Sequence, residues 1–322
     1  MHGFRAIYRK ELEDHFSSTR FVLLFTVILM ISLISAYMTG TGLRRELEGI
    51  AKPSLVFLML FTSTGALFSL AQFVAFFGPL IGMILGFDAI SRERSARTLS
   101  KLLSQPIYRD AVVNAKFLAG VTLLSIMFLA ILLLISGMGL LTLGVVPDLE
   151  EIGRLAVYLI VSVVYVGFWL GLAILCSVLF RSMATSALAT LALWIFLAFF
   201  MALGASLAAD ILSPVRPGLS GDAQAEATIR HEETRQFVSM LSPISLYSES
   251  TSVVLDPLRK TTRSLVLMGP MERISLSRFQ SALSLQQSLL IVAPYLVSLV
   301  ALTVLCFAIC YICFMRQEVR ST

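Results

Sequence analysis

Polar and apolar positions in this chain fall into long blocks rather than alternating. Apolar runs cover about 21–39, 66–87, 118–143, 155–180, 183–209 and 288–315, six in all. Each is long enough as a helix to cross a hydrocarbon core of about 30 Å at 1.5 Å per residue. The pattern predicts an all-α, polytopic membrane protein with six transmembrane helices. The stretch 55–87 would run roughly 50 Å as a single helix, more than a span needs. Thr62, Ser63, Thr64 and Gly65 interrupt it, so 53–64 is expected to be a helical extension beyond the outer leaflet or an interfacial helix. Ahead of the first span, residues 2–18 are amphipathic. Phe4, Ile7, Tyr8, Leu12 and Phe16 share one face, while Arg5, Arg9, Lys10, Glu11, Glu13 and Asp14 do not. This reads as an elbow helix lying in the interface. Its acids, and the length of the apolar run behind it, do not suit a signal peptide.

The polar blocks then divide the chain. Residues 1–20 form the elbow, 21–209 the first five spans with a loop at 88–117, 210–286 a large insertion between helices 5 and 6, and 287–322 the last span and a tail. The loop from Asp88 to Lys116 is the only long polar segment of the first half. Arg92, Arg94, Arg97, Lys101, Arg109 and Lys116 make it basic. Ala96, Leu99, Leu102 and Leu103 recur at helical spacing, and Pro106 stops the helix because it lacks an amide proton. Such a helix between two spans either docks in a groove of a soluble partner or lies on anionic headgroups.

Composition sharpens the class. Of 322 residues 57% are hydrophobic and only 14% charged, with mean hydropathy +0.87. That is too little charge for a water-soluble surface. The net +5 is best read by position, since basic residues near membrane ends set orientation. Arg5, Arg9, Lys10, Arg20, the basic 88–116 loop, Arg181, Arg316 and Arg320 share one side of a six-span topology. The short loops opposite carry only Arg44, Arg45, Lys52 and Arg154. Both termini and the 88–117 loop are therefore expected in the cytoplasm, in a multi-pass plasma (inner) membrane protein. The 210–286 insertion is expected outside, as a cap on the outer helix ends.

Little chemistry is available for catalysis. No GxxxxGK[ST], HExxH or GxSxG occurs, so the chain carries no nucleotide-binding P-loop of its own. His2, His15 and His231 are scattered. Cys176, Cys306, Cys310 and Cys313 all lie in apolar runs and read as packing residues rather than as disulfides or a metal set. Between their ends the spans carry essentially no ionisable side chain, which disfavours a proton- or sodium-coupled carrier. Gln72 is the most polar side chain of the second span. Gly78, Gly82 and Gly86 in the second span, and the Gly167–Gly171 pair in the fourth, are small-residue stripes that let helices approach closely.

The elbow, the six spans and the loop FDAISRERSARTLSKLLSQPIYRDAVVNAKFLAG resemble the ABC-2 type permeases, the membrane subunits of ATP-binding-cassette exporters. The subgroup that serves nitrous-oxide-reductase maturation and gliding motility is the most similar. The residues that carry the resemblance are Asp88, Ile90-Ser91, Glu93-Arg94, Thr98-Leu99, Leu102-Leu103 and Ser104-Gln105-Pro106, with LSPISLYSEST at 241–251. Family members often have glycine before the Thr-Leu; here Arg97 stands there.

The resemblance implies a coupling helix at 94–105, docked to a separate ATPase subunit. Leu99, Leu102 and Leu103 would be its buried face, with Glu93 and Arg94 at the cleft rim. It also implies a homodimer of permeases, ATP bound by the partner subunit, and no cofactor in this chain. A periplasmic partner could engage 210–286. A stand-alone channel or carrier, and an anchor or assembly factor working through 210–286, are the alternatives from other classes.

Overall fold

The computed structural model describes residues 2–48, 55–62, 69–98, 108–215, 221–261 and 282–316. In chain order the helices are α1 (His2–Phe16), α2 (Thr19–Glu46), a 3-10 turn (Val56–Leu58) leading into α3 (Met59–Thr62), α4 (Leu70–Gly86) and α5 (Ser91–Ser95). There follow α6 (Arg109–Leu143), α7 (Leu149–Leu179), α8 (Met183–Ile195), a π turn (Phe196–Phe200), α9 (Met201–Leu212), α10 (Gly221–Ser239), α11 (Pro243–Leu255) and α12 (Leu285–Arg316). No strand occurs among the described residues. Six helical stretches are long and apolar enough to cross a membrane, so the chain is an all-α, polytopic membrane protein. The α1 side of the bundle also holds α5, the start of α6 and the end of α12; this is the terminal face, and the opposite end is the far face.

Helix α7 is the mast of the bundle, touching α4, α6, α8, α11 and α12. Its seam with α4 is set by small residues. A Cβ on Gly82 would lie 2.7 Å from the Val166 carbonyl oxygen and 2.8 Å from the Leu170 nitrogen; one on Gly86 would lie 2.8 Å from the Leu170 oxygen. Glycine at 82 and 86 therefore lets the two backbones touch, and Gly78 makes room for the Val166 side chain, which in lipid replaces the missing hydrophobic drive with dispersion contacts. Gly167 and Gly171 carry the same sequence signal, yet face only side-chain atoms at 4.0 and 3.5 Å.

Pro79 sits inside α4 and supplies no amide proton to the carbonyl of Ala75. The buried Tyr165 hydroxyl donates to that oxygen at 2.6 Å. The proline's orphaned acceptor is thus satisfied from α7, as a membrane interior requires. Tyr165 also stacks on Tyr247 of α11 at 4.3 Å, and the Tyr247 hydroxyl is 2.9 Å from Ser162 Oγ.

Three segments gain detail from the structure. Residues 56–61, within the 53–64 segment, pack into the bundle: Phe57, Leu58, Leu60 and Phe61 are buried. Gly139 of α6 leaves the notch for them, since a Cβ there would lie 2.4 Å from Leu60 Cδ1. The second span begins only at Leu70, where Ser69 and Gln72 form a capping box; Gln72 is thereby accounted for as a cap. The insertion is deeper than a cap on helix ends. Eight residues of α11 are buried, because Tyr247 reaches the middle of α7.

At the far face the first turn of α7 ties four segments together. Arg154 is fully buried. It donates to the Val254 carbonyl (2.8 Å), Ser288 Oγ (3.1 Å) and the Leu283 carbonyl (2.5 Å), and pairs with Glu150 at 3.0 Å. Glu151 accepts from the amides of Phe57 (3.0 Å) and Asp148 (2.9 Å). Sequence alone placed Arg154 as a loop charge. It is instead a buried tie between α7, α11 and α12, satisfied at every bond.

The Pro79–Tyr165 pairing makes a direct prediction. Tyr165→Phe should cost about 1 kcal/mol, typical of a hydrogen bond between membrane helices. In a Pro79→Ala background, where residue 79 can serve the Ala75 carbonyl itself, the same change should cost markedly less. Equilibrium unfolding of the four proteins of this cycle in mixed micelles measures the difference.

Candidate functional site: a charge-paired hairpin root at the terminal face

The loop after the second span starts as a short helix with a buried root. After α4 the chain turns through Phe87–Ile90 into α5. Ser177 Oγ of α7 accepts from the amides of Ile90 and Ser91, both at 2.9 Å. Ser186 of α8 donates to the Phe87 carbonyl at 2.7 Å. Ser91, Ser177 and Ser186 are all buried. The first amides of a helix have no partner within it; here another helix supplies one. Arg94 donates from Nη2 to the Val178 carbonyl at 3.4 Å.

Helix α5 is short because Arg97 stops it. Arg97 has φ +55°, the Thr98 amide donates to the Glu93 carbonyl at 3.0 Å, and the Arg97 amide donates to the Arg94 carbonyl at 3.1 Å. This pair of bonds around a left-handed residue is the Schellman C-cap, a position that favours glycine. The family's frequent glycine before Thr-Leu thereby acquires a physical reason. The helix expected over 94–105 is interrupted near its start, because the chain changes direction at 96–98. Leu99, Leu102 and Leu103 lie outside the described residues.

Lys116 holds this root to the rest of the protein. Its ammonium lies 2.6 Å from Glu11 Oε1 of α1 and 2.9 Å from Glu93 Oε1 of α5. It is 5% exposed. One cation near the start of α6 therefore joins the elbow helix to the hairpin. Tyr8 of α1 adds a hydrogen bond to Thr122 Oγ1 at 3.0 Å, and Arg20 of α2 pairs with Asp88 at 3.0 Å. A cavity of about 590 Å³ opens between α1, α2, α4 and α5, with Lys116, Glu11 and Glu93 in its wall. His15 in the same wall has its pKa lowered by burial. Glu11 opposes this, Lys116 adds to it, and Asp88 and Asp14 oppose it.

Of the residues expected to meet a partner, Glu93 and Arg94 are thus brought together, with their observed contacts running inward to α6 and α7. Sequence reading missed Glu11, Lys116, Ser177 and Ser186. Lys116, a cation beyond the first turn of a mostly apolar helix, was the one available signal: a cation so placed needs a partner. Among the described residues no group of three metal-ligating side chains occurs, and all four cysteines are free thiols.

Six apolar helices, a buried root at the start of the basic loop after the second span, and an elbow helix pinned to that root define a polytopic membrane protein with a charge-paired loop base at one face. Residues 5–319 match the family model described as ABC-2 family transporter protein, and the chain belongs to that family. It is a multi-pass, transmembrane subunit of the ABC transporter type. No curated protein matches it significantly.

Removing the central cation tests the root. Lys116→Met leaves two carboxylates close together without their counter-ion and should destabilise the protein by about 3 kcal/mol, the lower end for breaking a buried pair. The triple variant Lys116→Met/Glu11→Gln/Glu93→Gln should recover most of that loss. Arg9→Ala, which breaks an exposed pair with Glu13, should leave the melting temperature where it was. Thermal unfolding in one detergent measures all three.

Proposed function

We propose that this chain is the permease subunit of an ABC exporter, working as a homodimer with two copies of a separate ATPase subunit that binds the ATP. The hairpin that begins at α5 is its coupling element. Leu99, Leu102 and Leu103 enter a cleft of the ATPase, and Glu93 and Arg94 hold the base at the cleft rim. Burying three leucines contributes roughly 1.5–3 kcal/mol each before ordering costs. Closure of the ATPase pair on ATP then pushes on the hairpin and rocks the spans.

The observation that supports this reading best is the rigid root. Ser177 and Ser186 fix where the hairpin leaves the membrane part, and Lys116 fixes it to α1. A loop that only lay on headgroups would have no need of buried bonds to three helices. The charge asymmetry supports a cytoplasmic terminal face, in the inner (plasma) membrane. The sequence carries no P-loop motif, which is in keeping with ATP being bound by a partner subunit. The insertion, with α11 wedged between α4, α7 and α12, lies on the extracytoplasmic side, where a periplasmic partner would meet it.

Co-expression with the ATPase encoded nearest to this chain tests the reading. Wild type should retain the ATPase through affinity purification, and Leu102→Asp/Leu103→Asp should lose it at least tenfold while keeping the same elution volume and melting temperature. Equal retention by the variant would place docking elsewhere.

A further inference from the structure

The cavity at the hairpin root has a charge pattern that the coupling role does not use. Four cations line it, Lys10, Arg20, Arg92 and Lys116, and four carboxylates, Glu11, Asp14, Asp88 and Glu93. Arg20 and Asp88 satisfy one another, and Lys116 satisfies Glu11 and one oxygen of Glu93. The second oxygen, Glu93 Oε2, is buried and has no hydrogen-bond partner among the described residues. A buried carboxylate oxygen without a donor is costly and marks a place for one. Lys10 and Arg92 remain as exposed cations, and Asp14 as an exposed carboxylate.

A wall with equal numbers of cations and carboxylates selects neither a plain anion nor a plain cation. It suits a molecule carrying both charges. The donor that Glu93 Oε2 lacks must be an N–H or O–H, which a primary ammonium has and a quaternary ammonium does not. The interfacial reading of α1 places the cavity at headgroup depth. It sits where the interfacial helix α1 turns through Ser17 and Ser18 into α2, beside Arg20 at the end of the first span. Just beyond it, Val22, Leu23 and Val27 expose at least half their surface, a path for acyl chains. The volume is within the range of small-molecule sites.

We propose that this cavity binds the phosphoethanolamine group of a phospholipid. The ammonium is held by Glu93 Oε2 and Asp14, and the phosphate by Lys10 and Arg92. The site joins α1, α2 and the hairpin root through one lipid molecule. It depends on the membrane placement of α1 and α2, not on the proposed ATPase coupling.

Native mass spectrometry tests it on the full-length protein delipidated in mild detergent. The protein is offered equal amounts of phosphatidylethanolamine, phosphatidylcholine and phosphatidylglycerol with identical chains. Wild type should retain phosphatidylethanolamine at least fivefold over the other two. Lys10→Gln/Asp14→Asn, which alters only exposed side chains and keeps the wild-type melting temperature without lipid, should retain all three equally. Equal retention by wild type, or a preference that survives in the variant, would overturn the proposal. In a second arm, soluble phosphoethanolamine at millimolar concentration is added. Failure to displace the lipid supports the lipid as the ligand. Stabilisation by the soluble compound with no lipid preference would overturn the lipid assignment in favour of a soluble ligand.

Discussion

A buried ammonium cannot stand alone, and the arrangement at the terminal face follows from that. Lys116 must have acceptors because it is almost wholly buried, and those acceptors come from two places the chain would otherwise leave independent: Glu11 on the elbow helix and Glu93 at the hairpin root. A simpler solution, apolar residues in place of Lys116, Glu11 and Glu93 together, would stabilise as well or better. What the ion pairs add is a fixed relation between three elements. The elbow lies along α6 through Tyr8 and Thr122, and Glu93 at the start of the loop is tied to the same lysine.

The same logic operates at the other end of α7. Arg154 is buried and fully bonded to the end of α11, the start of α12 and Glu150, and Glu151 reaches Phe57. Between these two polar knots the seam with α4 is apolar and close, with glycine at 82 and 86 allowing backbone contact and Gly78 making room for Val166. Tyr165 supplies the single bond that Pro79 would otherwise leave unmade. The result is a stiff central pair of helices anchored at both faces, with α2, α8 and α12 presenting much of their apolar surface outward.

How much of this was legible before the structure depends on the range of the interaction. Apolar blocks report burial in lipid directly, so the six spans and the elbow could be read from Phe4, Ile7 and Tyr8 or from the run at 118–143. Local signals were also present: Ser69 and Gln72 stand at capping-box spacing, and Arg97 occupies a position where glycine is common in the family. Long-range pairings had no such signal. Nothing near Lys116 in the sequence names Glu11, and nothing near Pro79 names Tyr165. The glycine stripes show the difficulty plainly. Gly82 and Gly86 meet a backbone, whereas Gly167 and Gly171 do not, although the spacing is the same. The buried segment at 56–61 escaped because its partners, Gly139 and Tyr158, lie in other spans. For Leu99, Leu102 and Leu103 the docking role rests on the resemblance and on the rigid root beside them.

The claim that the elbow and the hairpin are one mechanical unit is tested most directly by hydrogen–deuterium exchange of the Lys116→Met protein in detergent or nanodiscs. Local opening is read amide by amide. If Lys116 joins the two elements, amides in α1 and in 91–98 should lose protection together, while those of α7 around Tyr165 stay as slow as in wild type. Loss of protection in the hairpin with α1 unchanged, or no change in either, would contradict it.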